Sequence, residues 1–221
     1  VRSTDNGSSF STVTSPTSIN LRGVGFGNNT FVAVGDSGNI VRSTDNGSTF
    51  SAVTPPITNE IKGVTFGNNT FVAVGVSGKI VRSTDNGTSW DNTSSGITTP
   101  IQDVAFGNNT FVGVGSSGNI VRSTDNGTSW DNATDPNISN VIWVVGFGNN
   151  TFVAVVHGGQ ILRSTDNGSN FSKVVDPDSH LTGVVFGNNT FVAVGVSGLL
   201  YRSTDNGTTW DSRTSVNPLG T

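Results

Sequence analysis

The sequence predicts an all-β chain: a β-propeller of four-stranded antiparallel blades, five of them complete, plus a surplus N-terminal two-stranded half blade. A six-position ring containing that half blade is the alternative closure. Three observations lead there. The hexapeptide R-S-T-D-N-G recurs from Arg2, Arg42, Arg82, Arg122, Arg163 and Arg202, a period of about 40 residues. Between its copies run short segments rich in Val, Ile, Phe and Thr, split by Gly, Asn and Asp turns. One segment of each unit, T-F-V-A-V-G at residues 30–35 in the first, is apolar on both faces of a strand. A sheet with one wet face would alternate apolar with polar, whereas a blade held between two others is buried on both sides.

The elements of one unit follow in order. Residues 21–26 form an apolar, glycine-interrupted strand a, and Gly27-Asn28-Asn29 a tight turn of residues that tolerate positive φ. Residues 30–35 form strand b, with Phe31 and Ala33 on one face and Val32 and Val34 on the other. Asp36-Ser37-Gly38 turns the chain into strand c at 39–43, Thr44-Asp45-Asn46-Gly47 turns it again, and strand d covers 48–54 with Phe50 in an aromatic slot. No window carries helical periodicity. A β-solenoid is the rival, but turns of two to three residues favour local antiparallel hairpins over parallel pairing between coils.

Counting the units gives a single propeller domain over 1–221, with blades at approximately 19–54, 59–93, 99–133, 140–175 and 181–212. Residues 1–14 supply a sixth c–d hairpin with no a–b partner. That hairpin is expected either to pair with strands a and b of the final copy, closing a seam, or to exchange between chains and build a dimer or filament, since unpaired strand edges seek partners.

The octet S-T-D-N-G-T-S-W at 83–90 resembles the Asp-box, or BNR, repeat, and matches recur at 3–10, 43–50, 123–130, 164–171 and 203–210. The chain is therefore similar to the propellers of sialidases, sortilin-type receptors and photosystem II assembly factors. That resemblance implies a structural role for Asp5, Asp45, Asp85, Asp125, Asp166 and Asp205. Each carboxylate would accept backbone N–H groups of its own turn, away from the functional face. The box arginines are expected to pack on an aromatic ring or to pair with an Asp of their own blade, the alternative being a ring for anionic ligands.

Composition narrows the function. The chain has 11 basic and 15 acidic residues, and outside the repeated Arg and Asp nine acids face five bases. No basic stripe speaks for nucleic acid, and no apolar run near membrane length speaks for insertion. Absent cysteine excludes thiolate metal sites and Cys nucleophiles. No metal or cofactor is implied. The chain starts inside a repeat, as an excised piece would, and the N-x-S/T sequons at Asn6 and Asn28 bear on function only in a glycosylating compartment. Location is left open, with a secreted or extracytoplasmic one favoured.

Strand direction alternates, so the a–b and c–d turns share one face while the b–c turn and the d-to-a connector share the other. The copies are nearly constant on the first face and differ on the second, where loops on a rigid scaffold carry binding residues. Arg22, Lys62, Gln102, Trp143 and the equivalent Thr182 are expected near the start of the inner strand, rimming the central opening. His157 and His180, the two histidines, fall in the same variable segments. These give three functional readings. The first is a non-catalytic structural or protein-interaction scaffold, whose partner is itself or another protein. The second is a multivalent glycan-binding propeller, with Trp143 suited to a sugar ring. The third is a sialidase-like glycosidase. It needs a Tyr nucleophile with a Glu partner, but the chain has a single Glu (Glu60) and a single Tyr (Tyr201, in a strand slot). The first reading is preferred.

Overall fold

A computed structural model describes residues 1–135, 137–175 and 180–214. Of the connector between the blades expected at 140–175 and 181–212, residues 176–179 lie outside the described residues. Among those described, the strands form five sheets of four, each antiparallel and in sequence order. The first blade is β1 (Leu21–Gly27), β2 (Thr30–Gly35), β3 (Ile40–Ser43) and β4 (Ser51–Val53). The second is β5 (Ile61–Gly67), β6 (Thr70–Gly75), β7 (Lys79–Ser83) and β8 (Asp91–Ser94). The third is β9 (Ile101–Gly107), β10 (Thr110–Gly115), β11 (Ile120–Ser123) and β12 (Asp131–Asn132). The fourth is β13 (Ile142–Gly148), β14 (Thr151–Val156), β15 (Ile161–Ser164) and β16 (Ser172–Val175). The fifth is β17 (Leu181–Gly187), β18 (Thr190–Gly195), β19 (Leu199–Ser203) and β20 (Asp211–Thr214).

The turns explain the strand ends. Asn28 and Asn29 both take positive φ, 46° and 55°, which matches the twist of a two-residue hairpin. The b–c connection is a single 3₁₀ turn with Ser37 at φ 56° and Gly38 beyond it. Strand d is shorter than the sequence suggests: β4 starts at Ser51 rather than at residue 48. The reason is the Asp-box, whose carboxylate draws the N–H groups of Ser48 and Thr49 into the turn.

The core lies between blades. Val32, Val34 and Ile40 of the first blade join Ile61, Val64, Phe71 and Trp90 of the second, and the third and fourth blades extend the pattern. Inner strands pack in succession, β1 on β5, β5 on β9, β9 on β13 and β13 on β17. Among the described residues no comparable packing joins β17 to β1, so the blades form an open arc. Val24 is 65% exposed on the first blade, whereas its counterparts Val64, Val104 and Val145 are 9%, 4% and 5% exposed.

The N-terminal hairpin does not close a seam within the chain. Strand β18 pairs with its own β19, and the hairpin, held by one bridge between Arg2 and Ser11, lies against the first blade with Arg2 Nε donating to the Asn46 carbonyl at 2.8 Å. The same contact recurs at every joint. Arg42, Arg82, Arg122 and Arg163 donate from Nε to the carbonyls of Asn86, Asn126, Asn167 and Asn206 in the next blade's box. The expected pairing of each arginine within its own blade is thus corrected. The box of the neighbouring blade presents a carbonyl turned outward by the positive φ of its Asn, and the guanidinium reaches it across the joint.

Glycine makes these joints possible. A Cβ added at Gly107 would stand 2.2 Å from the ring of Phe147, which lies flat over the glycine. Gly107→Val is expected to unseat Phe147 and lower unfolding stability by about 1–3 kcal/mol, read from the midpoint of urea denaturation.

Candidate functional site

The variable rim is built by a bulge repeated in every inner strand. The register of β1 against β2 slips between Leu21 and Gly23, and the same slip falls between Ile61 and Gly63, Ile142 and Val144, and Leu181 and Gly183. In β9 it falls between Ile101 and Asp103. The residue left unpaired is Arg22, Lys62, Gln102, Trp143 or Thr182, the set the copy-to-copy comparison singles out. A bulge frees one residue from the ladder and re-aims its side chain. In the first four blades the bulged side chain meets its own blade's b–c turn or the adjoining connector.

The contacts differ along the arc. On the first blade Arg22 Nε donates to Asp36 Oδ1 at 2.8 Å, and Asn20 Nδ2 donates to Asp36 Oδ2 at 3.1 Å. The guanidinium also lies 3.7 Å from Glu60, which pairs with Lys62 Nζ at 3.1 Å. The Arg22 hydrogen bond holds the Asp36 carboxyl below the usual range, with Asn20 adding to it. On the third blade Gln102 Nε2 donates to Ser116 Oγ. On the fourth and fifth the rim turns aromatic: Trp143 and His157 have ring centroids 6.3 Å apart, and His157 and His180 4.5 Å apart. Trp143 is 37% exposed. Of the six candidate residues, Arg22 and Lys62 join Asp36 and Glu60 in a four-charge cluster, Trp143, His157 and His180 form a ring cluster, and Gln102 stands between.

Asp103 is a residue the copy comparison passed over. It stands in β9 where Gly23, Gly63 and Gly183 stand in other blades, and that departure is the signal that would have found it. Its Oδ2 accepts the Val145 N–H of the next blade at 3.0 Å. Desolvation raises its pKa to about 6, against the opposing pull of the Val145 and Val104 amides.

The opposite face is constant. Ser83 Oγ donates to Asp85 Oδ1 and accepts the Gly87 N–H, while Asp85 accepts the N–H groups of Thr88 and Ser89 and the Ser89 hydroxyl. Burial raises the Asp85 pKa, but the hydrogen bonds outweigh it and hold the group near about 2. Asp5, Asp45, Asp125, Asp166 and Asp205 sit in turns of the same build, all with lowered pKa. Box aromatics close the turn: Trp90 Nε1 donates to the Gly87 carbonyl, and its ring meets Phe71. A groove of about 520 Å³ lies neither here nor on the rim. It runs between the outer strands of the first two blades, lined by Arg42, Val53, Pro55, Pro56 and Trp90.

A family model described as "Photosynthesis system II assembly factor YCF48" matches residues 12–221. The chain belongs to this family. Among solved structures, YCF48 bound to D1 peptide superposes with a TM-score of 0.72 at 20% identity, covering 95% of this chain and 72% of that one. YCF48 from Cyanidioschyzon merolae gives 0.66 at 20% identity, covering 88% and 72%. The computationally designed Ika8 protein gives 0.67 at 15% identity, covering 87% and 61%. No curated protein matches the sequence. At these identities the structural matches establish the fold.

Two predictions follow from the two faces. Asp85→Ala should lower stability by about 1 kcal/mol, the low end for unsatisfied turn amides because the box is open to water, measured by denaturation at pH 7. The Asp85 contribution is present above the unfolded carboxyl value near 3.8 and is lost as pH falls through about 2. Asp103 has the opposite sign. Its folded pKa of about 6 exceeds the unfolded value of 3.8, so its cost grows as pH rises between those values and is complete above pH 6. Asp103→Asn should therefore gain stability relative to the parent as pH is raised from 4 to 7, in matched thermal melts.

Proposed function

We propose that the chain is a non-catalytic propeller that binds a polypeptide segment across the bulged rim. The observation that carries this reading is the concentration of copy-to-copy differences on one face, where the bulge frees five of the differing residues from the ladder. Family membership supports it, and a YCF48 structure with a D1 peptide makes a peptide the natural occupant. The rim offers a peptide paired charges at one end and exposed rings at the other. Against catalysis, Glu60 is engaged by Arg22 and Lys62 at the second blade, while Tyr201 lies in β19 of the fifth. The glycosidase pair is therefore not brought together.

The half-exposed Trp143 beside the His157 imidazole, which in turn meets His180, also favours a second reading, a lectin-like site for a sugar ring. Calorimetry with a D1 peptide and a glycan array separate the two. For the peptide reading, Trp143→Ala should weaken binding about tenfold or more, as expected for an aromatic anchor, and Asp85→Ala on the opposite face should leave affinity unchanged. Loss of binding in the stable Asp85→Ala protein would overturn the assignment of faces. A glycan hit with no peptide binding would favour the lectin.

A further inference from the structure

The four joints between blades share one construction. Phe66, Phe106, Phe147 and Phe186 lie over Gly27, Gly67, Gly107 and Gly148 of the preceding blade, where an added Cβ would come within 2.0, 2.1, 2.2 and 2.0 Å of the ring. From the other side, Val32, Val72, Val112 and Val153 stand over the box glycines Gly87, Gly127, Gly168 and Gly207 of the following blade. An arginine-to-carbonyl hydrogen bond closes each joint.

Each end of the arc carries one half of this joint without the other. At the first blade Phe26 is 53% exposed and Val24 65%. Gly47 there has no valine above it, only the Arg2 stem and its own Phe31 within 4 Å. At the fifth blade nothing lies within 4 Å of a Cβ built on Gly187, and Val185 and Val194 are 63% and 43% exposed. The guanidinium of Arg202, the counterpart of Arg163, makes no side-chain hydrogen bond to a described residue, its backbone being paired in the ladder. What one end lacks the other presents.

We propose that these ends are the halves of one interface and that a second copy of this chain occupies each. The fifth blade of one protomer seats on the first blade of the next. Phe26 then lies over Gly187, Val192 over Gly47, and Arg202 Nε donates to the Asn46 carbonyl. The occupant is argued from continuity: the same sequence makes this joint four times within the chain. Closing the arc on itself would require every existing joint to tighten, while a second copy uses them as they stand. The contact is heterologous, so copies add head to tail into a closed ring or a filament.

The N-terminal hairpin competes for the same seat. It supplies Arg2 to Asn46 but only the Arg2 stem, and no valine, to Gly47, and it is poorly anchored, with one bridge and with Val1 88% and Phe10 64% exposed. The fifth blade's own c–d hairpin is paired from Leu199 to Arg202. Displacing residues 1–14 is thus the easier exchange, and they act as a plug on self-association. This interface is independent of the rim and of what the rim binds.

The test is light scattering and sedimentation of the full chain over a wide concentration range. We expect masses above the 22.8 kDa protomer that rise with concentration. Deleting residues 1–14 should strengthen association at least tenfold. Gly187→Leu should weaken it at least tenfold, since the side chain fills the seat of Phe26. Gly187 has open space and no positive φ in the single chain, so its thermal melt at low concentration should match the parent. Monomers at every concentration with and without residues 1–14 would overturn the proposal, as would association indifferent to Gly187→Leu.

Discussion

A phenylalanine ring lying flat on a glycine of the preceding blade sets the spacing on which the rest of this structure depends. The ring covers the place where any other residue would carry its Cβ, so inner strands approach more closely than side chains would allow. Close approach brings the strand b valines over the next box glycine and puts each box arginine within reach of the next carbonyl. Apolar burial supplies the bulk of the stability, and the hydrogen bond fixes the register between blades. The Asp-box contributes by keeping its Asn carbonyl and its glycine in the places that this joint needs. Its depressed carboxyl pKa is thus a consequence of turn construction.

The same construction separates the constant face from the variable one. On the constant face the box carboxylates are engaged by their own turns. The bulge in each inner strand does the opposite. It removes one residue from the ladder without disturbing the Phe–Gly seat a few residues on, so that residue varies at little cost to the joint. Arg22, Lys62, Gln102, Trp143 and Thr182 differ for this reason, and the charged and aromatic clusters grow from their local partners. Asp103 is the exception, a carboxyl placed inside a joint, where the Val145 and Val104 amides only partly offset its desolvation.

Much of this was legible in the sequence. The period of R-S-T-D-N-G marked the blade repeat while leaving five or six ring positions open, the two-sided strand b required burial on both faces, and the paired asparagines marked the tight turns. The divergent slots marked the rim, because differences among otherwise matching copies show where packing does not dictate the residue. Identity at a slot was less informative: Arg42 and its copies read equally well as partners of an aromatic ring or an aspartate, since a backbone carbonyl from another blade leaves no trace in side-chain spacing.

What the sequence by itself determined is local: strands, turns, the Asp-box and the residues free to vary, all set by interactions within about one repeat. Only the tertiary structure decided how the repeats meet. The arginine-to-carbonyl contact spans more than forty residues, the Arg22–Glu60 and His157–His180 contacts depend on neighbouring blades, and the open arc depends on the angle summed over four joints. A 40-residue period specifies that blades stack but not how far each turns from the last. That angle comes from the fit of rings on glycines, and it leaves Phe26 and Gly187 facing solvent at opposite ends.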